Sequence, residues 1–214
     1  MSRMRHARPE ARLDGPQREA VIAIARTVAP LDVHEFEPVL QAATARRLEA
    51  QDALLHAGDP DEREYFVLEG VLRTWLSDAQ GRSVTLAFHV GPGIVMPAIT
   101  RTADGRSRVH CEALTACHVA GFPSHTLVDC MRRSPSVQQW GDAVLRAELV
   151  RRADREWALA ALPAAQRLSQ FREQYPGLES RIAQRHIASY LGVTSVSLSR
   201  LRSQERGPQA PGRP

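Results

Sequence analysis

The sequence predicts an α+β chain: an N-terminal antiparallel β-roll entered through helices, one long helix, and a small C-terminal helical domain. Three observations carry this. Between about Arg46 and Leu127, short runs rich in β-branched and aromatic residues alternate with Gly, Asp and Pro turn signals. Residues 136–162 contain no Gly after Gly141 and no Pro, and their apolar residues recur at helical spacing. Gln184 to Ser203 reads as two short helices meeting at a tight turn.

The elements follow in order. Residues 1–13 are Arg-rich and aperiodic and are read as a disordered basic tail. Asp14-Gly15-Pro16 opens a first helix carrying Val21, Ile22, Ile24, Ala25 and Val28, which Pro30 ends. Asp32 caps a second, with Phe36, Val39, Leu40 and Ala43 on one face. Eight strand runs follow: Arg46–Glu49, Ala53–His56, Glu64–Leu68, Val71–Ser77, Ser83–Val90, Ile94–Met96, Val109–Ala113 and Cys117–Phe122. Together with the two helices they make one domain over 14–134. Residues 135–162 form the long helix, whose Val137, Trp140, Val144, Ala147, Val150, Ala153, Trp157 and Ala160 suit a dimerisation element, with a helix merely packed on the β-domain as the alternative because the heptad pattern is interrupted. A helical domain spans 163–206, and the Pro/Gly run 207–214 is a flexible tail.

Composition bounds the function. Of 214 residues, 43% are hydrophobic and 24% charged, a globular balance that excludes wholesale disorder. No apolar run is long enough to cross a bilayer, and no apolar segment follows the charged N-terminus as a secretory signal needs. Cys111, Cys117 and Cys130 are too few for a disulfide framework, and free thiols suit a reducing cytoplasm. The net charge of +4 is uneven: residues 1–150 hold 17 Arg against 19 acids, residues 151–214 hold 11 Arg against 5. A basic C-terminal third predicts a polyanionic partner at that end. The chain has neither Lys nor Asn, so Arg in place of Lys is compositional bias rather than a signal.

The most informative stretch lies in that basic third. Gly192 can take the left-handed cap conformation, and Ala188 is small where the second helix must approach. Ile187, Leu191, Val193, Leu198 and Leu201 face inward, and Thr194 stands where an N-cap is wanted. These are the constraints of a DNA-binding helix-turn-helix, with double-stranded DNA as partner. The second helix, about Ser195 to Ser203, presents Ser195, Val196, Ser199, Arg200 and Ser203. Arg200 suits a bidentate contact to guanine, and Val196 a thymine methyl. Thr194, Ser195 and Ser199 suit phosphates or bases; Arg185, His186 and Arg202 suit phosphates, which position without specifying sequence.

The order of these parts resembles the Crp/Fnr superfamily of bacterial transcription regulators over roughly Leu31 to Ser203. The resemblance is carried by Leu54–Asp59, Tyr65–Arg73, Ser83–Phe88, Glu112–Cys117 and, most specifically, Ile187–Arg202. It implies a cyclic-nucleotide-binding-like jelly roll, a homodimer formed through the long helix, a C-terminal helix-turn-helix, and RNA polymerase as a further partner. It also implies where an effector would sit. Cyclic-AMP-binding members carry a Gly-Glu pair and an Arg-Ser or Arg-Thr pair. Here Val95 and Met96 stand at the first, while Arg106-Ser107, with Arg108 nearby, resembles the second. Methionine cannot take the ribose hydrogen bond, so a small effector other than classical cyclic AMP is expected. The alternative is a constitutive DNA-binding dimer in which Val95, Met96, Pro97, Ala98 and Ile99 plug a vestigial pocket. No winged hairpin is expected after the recognition helix.

Enzyme chemistry is the weaker class. The sequence offers no nucleophile elbow, no Gly-rich phosphate loop and no cupin-like His-x-His with a carboxylate, so no catalytic residue is named. No N-terminal cysteine cluster exists for iron–sulfur ligation. His89, His110 and His118 lie on or beside strands without a haem context, and His110-Cys111 with Cys117-His118 matches no zinc spacing. No metal or other cofactor is assigned.

Overall fold

The structure, a computed structural model, describes residues 10–95 and 101–205. These contain, in order, β1 (Ala11–Arg12), α1 (Gly15–Val28), α2 (Val33–Ala42), β2 (Thr44–Leu48), β3 (Ala53–Leu55), β4 (Arg63–Glu69), β5 (Val71–Ser77), β6 (Ser83–Val90), β7 (Gly93–Val95), β8 (His110–Ala113), β9 (Cys117–Pro123), α3 (Ser124–Arg133), α4 (Pro135–Ala161), α5 (Ala164–Gln174), α6 (Gln184–Leu191) and α7 (Ser195–Glu205). The chain divides into two compact units. The first holds the described residues up to Leu76 together with Leu86–Arg152; the second holds Ser77–Thr85 together with those from Ala153 on.

The first unit is the β-roll and its helices. One sheet has the order β1-β2-β9-β4-β7 and the other β3-β8-β5-β6. β2 lies antiparallel to β9 from Thr44↔Gly121 to Leu48↔Cys117, and β9 in turn to β4. The strand alternation is visible in burial: along β8, Cys111 and Ala113 are buried while His110 and Glu112 are half-buried. The sheets enclose a core of Leu48, Leu54, Val67, Leu72, Ala113 and Val119. Gly70 is required between β4 and β5: its φ is +96°, and a Cβ there would lie 2.4 Å from the Ala116 carbonyl oxygen.

Helices close the first unit. Asp14 accepts from the Gln17 N–H at 2.8 Å, and the Gln17 side chain accepts from the Asp14 N–H at 3.0 Å, a reciprocal cap on α1. Asp32 accepts from the His34 N–H at 2.9 Å and starts α2. A second core gathers Val21, Phe36, Phe66, Phe122 and Trp140, whose Nε1 donates to the Ala25 carbonyl at 2.8 Å. The first turns of α4 are thereby anchored in this unit.

Two differences from the sequence reading stand out. The tail expected over 1–13 is structured at its end: Ala11 pairs with Ala45 and Arg12 with Thr44, and Thr44 donates to Glu10 at 2.7 Å. Residues 1–9 and 206–214 lie outside the described residues. Helix α3 was not anticipated. Its buried Leu127 and Cys130 sit among Val128 and Met131, a two-turn pattern too short to separate from the strand that precedes it.

The second unit is helical. Leu168 and Phe171 of α5, Leu178 and Ile182 of the connection, Ile187 and Leu191 of α6, and Leu198 of α7 are buried. Phe171, Tyr175 and Tyr190 meet with ring centroids 5.4–5.9 Å apart. The hairpin turn between β5 and β6 belongs to this unit. Ser189 of α6 accepts from the Thr85 N–H at 2.8 Å and donates to the Ser83 carbonyl at 2.9 Å. Arg155 donates to the Tyr190 carbonyl at 2.6 Å and the Thr85 carbonyl at 2.8 Å, with its guanidinium 3.9 Å from the Tyr190 ring centroid.

Candidate nucleic-acid interface

The turn between α6 and α7 is built from backbone chemistry. Gly192 has φ +67°, ψ +34°, the left-handed conformation that glycine adopts without cost. The Gly192 N–H reaches the Ser189 carbonyl at 3.2 Å and the Val193 N–H the Ala188 carbonyl at 3.0 Å, closing α6 with the paired bonds of a glycine-terminated helix. Thr194 then starts α7: its hydroxyl accepts from the Ser197 N–H at 3.1 Å and lies 2.9 Å from the Ser197 hydroxyl. Ile187, Ala188, Leu191 and Leu198 are buried behind the turn, while Val193 and Leu201 are half-buried.

This packing decides which residues α7 shows to solvent. Ser195, Val196, Ser199, Arg200 and Ser203 are exposed along one face. Val196 is 62% exposed, the most exposed large apolar side chain among the described residues. Arg200 makes no hydrogen bond or ion pair among the described residues and extends from the middle of the face. The Ser203 hydroxyl donates back to the Ser199 carbonyl at 3.1 Å. Arg185 is exposed at the start of α6. A helix that offers serines, one valine and one unengaged arginine fits a groove edge chemically.

Three expected contacts are placed differently. Thr194 is committed to capping α7. His186 is 7% exposed, because its position on α6 faces the interior beside Ile187. Arg202 is 14% exposed and paired with Glu179: its Nε donates to Oε1 at 2.7 Å, and its terminal nitrogen lies 2.6 Å from the same oxygen. Glu179 also accepts from Nε of Arg172 at 2.7 Å. Desolvation pushes the Glu179 carboxyl up, and the hydrogen bonds from Arg172 and Arg202 outweigh it, leaving it below the ordinary glutamate value. The 3₁₀ turn Leu178–Ser180 that carries Glu179 follows Gly177 at φ +73°. Glu179, Arg155 and Ser189 were missed in the sequence, because their partners lie 23, 70 and 106 positions away.

The effector candidates of the first unit are largely engaged internally. Val95 is buried in the core between the sheets. Met96, with Pro97, Ala98 and Ile99, lies outside the described residues. Arg106 donates to the Gly58 carbonyl at 2.7 Å and lies 3.5 Å from Asp104. Ser107 is buried and its hydroxyl donates to the Val109 carbonyl at 2.8 Å. Arg108 is exposed. The nearby Arg101 is held between the buried carboxylates Asp61 and Glu64, at 3.2 and 3.1 Å. Among the described candidates, Arg106 and Ser107 thus bond different carbonyls.

Another polar group in this unit escaped the sequence reading. Thr74 and His89 are 2.8 Å apart on adjacent strands. Burial, then the positive charge of Arg151 on α4, lowers His89 to about 4. Arg151 and Arg152 both bond Glu148, at 2.6 and 2.8 Å. Cys111, Cys117 and Cys130 are buried and free, and burial pushes the Cys111 thiol up to about 12. Among the described residues no group of three His, Cys, Asp or Glu side chains could hold a metal, and no helix is long and apolar enough to cross a membrane.

Residues 45–134 match the cyclic nucleotide-binding domain family. No curated protein matches the chain. Among solved structures, FixK2 from Bradyrhizobium japonicum is 22% identical, covers 77% of this chain and 84% of its own, and superposes with a TM-score of 0.67. CLP from Xanthomonas campestris, a global regulator described as responsive to cyclic di-GMP, is 16% identical, with 85% and 96% covered and a TM-score of 0.67. A protein of Eubacterium rectale described as a Crp/Fnr-family regulator is 16% identical, with 82% and 84% covered and a TM-score of 0.64. Residues 45–134 are thus similar to a cyclic nucleotide-binding domain, and the fold is like that of solved bacterial regulators, one of them described as of the Crp/Fnr family.

Proposed function

We propose that this protein is a cytoplasmic, homodimeric, sequence-specific DNA-binding transcription regulator. The observation that carries the reading is the exposed face of α7, with Arg200 at its centre, held outward by the Gly192 turn and the Thr194 cap. Arg200 takes guanine, Val196 meets a thymine methyl, and Ser195, Ser199 and Ser203 line the groove. Arg185 supplies a phosphate contact. The regulators it resembles in fold support the class. Selection of duplexes from a random library, followed by fluorescence anisotropy across a salt series, tests it. Binding that prefers selected duplexes and weakens with salt is expected; salt-independent binding, or none, contradicts it.

The dimer reading rests on α4. Leu145, Leu149, Val150 and Trp157 are exposed on it, the last three at 53%, 54% and 56%. Large apolar side chains spaced along one long helix suit a second copy of the same helix. In that dimer each α7 reads one half-site, with centres ~34–36 Å apart on the duplex. Sedimentation of wild type and Leu149→Glu tests it: a dimer that the variant converts to monomer is expected, and a wild-type monomer at micromolar concentration contradicts it.

The roll responds to a small effector other than cyclic AMP. Two features support this: the engagement of Arg106 and Ser107 elsewhere, and the polar group of Thr74, His89, Glu148 and Arg151. A protein of similar fold described as responsive to cyclic di-GMP shows that such folds serve other ligands. A constitutive dimer is the second reading, favoured by the burial of Val95 in the core. Thermal-shift measurement with cyclic AMP, cyclic GMP and cyclic di-GMP separates them. A rise with a ligand other than cyclic AMP supports sensing; no rise with any supports the constitutive form.

A further inference from the structure

We propose that Glu179 is a positioning residue for DNA recognition, bridging Arg172 of α5 and Arg202 of α7 so that the recognition helix is held at a fixed orientation. The proposal rests on the reading of α7 as the DNA-contacting helix. Sequence alone would make Arg202 a phosphate contact, but the structure gives its guanidinium to a carboxylate at 2.6–2.7 Å and leaves it 14% exposed. Of the two arginines on α7, only Arg200 remains available to a duplex.

The geometry explains why a carboxylate stands here. A lone glutamate beside a DNA-facing helix would repel phosphate. Two guanidiniums neutralise this one and leave the cluster with net positive charge. α7 is fixed at its start by the Thr194 cap and by buried Leu198. Both points lie within its first four residues. Arg202, one residue past the half-buried Leu201, lies a turn further on, so the ion pair there ties α7 to the unit at a third point. Arg172 fastens the same carboxylate to α5, whose Leu168 and Phe171 are buried in the unit's core. Base readout tolerates only about 0.5 Å of misplacement. The clasp therefore acts through Arg200, and specific binding depends on it more than general attraction to DNA does.

Glu179→Gln, Arg202→Gln and the double variant are titrated against a library-selected duplex and a scrambled duplex of equal length, across a salt series, with thermal unfolding in parallel. In each single variant the affinity ratio between the two duplexes is expected to fall about tenfold, while binding to the scrambled duplex does not weaken. The double variant should fall no further, since both changes remove one interaction. Arg202→Gln should leave the salt slope unchanged. If instead it weakens both duplexes alike and lowers the slope by about one, Arg202 is a phosphate contact and the clasp is overturned. An unchanged ratio in Glu179→Gln overturns it too, as does lowered thermal stability with the ratio intact, which marks a purely structural pair. If Glu179→Gln does not fold, Arg202→Gln decides the matter from the other side. A wild-type chain that binds neither duplex removes the DNA reading itself, and that result is distinct from every clasp outcome.

Discussion

Arginine and serine are set side by side in two regions, the 101–108 loop of the first unit and helix α7 of the second, and they end in opposite states. In the loop, Arg101 is locked by Asp61 and Glu64, Arg106 bonds the Gly58 carbonyl, and Ser107 turns inward to Val109. On α7, Arg200 and the serines at 195, 199 and 203 are exposed, and Arg200 has no partner among the described residues. The difference lies in the backbone. A helix supplies its own hydrogen bonds and turns successive side chains by a fixed step, so one face is free for a partner. A loop must satisfy its carbonyls by other means, and here the Gly58 carbonyl takes the Arg106 guanidinium. The same residue types are therefore left exposed in one region and engaged in internal structure in the other.

Four changes test that contrast, beginning with the largest effect. Gly192→Ala places a side chain in the left-handed region, 3.2 Å from Leu159 Cδ2, and should destabilise the second unit by about 1–2 kcal/mol. Chemical denaturation measures it, and an unaltered midpoint would show that the turn is not rigid. Thr194→Ala removes the cap of α7 and should cost about 1 kcal/mol. Hydrogen exchange at the Ser197 amide reports it locally, and specific DNA binding should weaken through fraying rather than through a lost base contact.

His89→Gln tests the first unit. Burial holds His89 near 4, below its ordinary 6.5, so the folded chain stays neutral there while the unfolded chain takes a proton. Stability is therefore complete above about pH 6.5 and declines as pH falls from there toward 4. His110 and His118, also lowered by burial, add declines of the same sign. The expected result is a shallower decline in the variant than in wild type, read by thermal unfolding between pH 7 and 4. Arg106→Ala should have the smallest effect: stability within about 0.5 kcal/mol and DNA affinity unchanged, because its guanidinium is 55% exposed and serves one loop carbonyl. A large loss of DNA binding would break the contrast.

Much of this was legible in the sequence, for physical reasons that can be named. The caps of α1, α2 and α7 use Asp14, Asp32 and Thr194, and such caps act within three residues of chain. β5 and β6 run over the residues their alternation and flanking turns indicate. The Gly192 turn needed only a local conformational argument. What escaped depends on distant partners. β1 is two residues long and exists because β2 offers it an edge. Arg202 looks like any basic residue flanking a recognition face until Glu179 is brought to it from 23 positions away. His186 looked exposed because α6 is short, and its burial follows from how α5 and α6 pack. Arg106-Ser107 resembles a phosphate pair in sequence, and its bonds to the Gly58 and Val109 carbonyls depend on how the loop folds back.

The central claim is that α7 reads DNA through Arg200. Its most direct test is the affinity of wild type and Arg200→Ala for one library-selected duplex and for its scrambled counterpart at a fixed salt concentration. The account predicts that the variant loses about 1–3 kcal/mol on the selected duplex, on the order of 5- to 150-fold, and little on the scrambled one. Equal losses on both duplexes, or none on either, would contradict it.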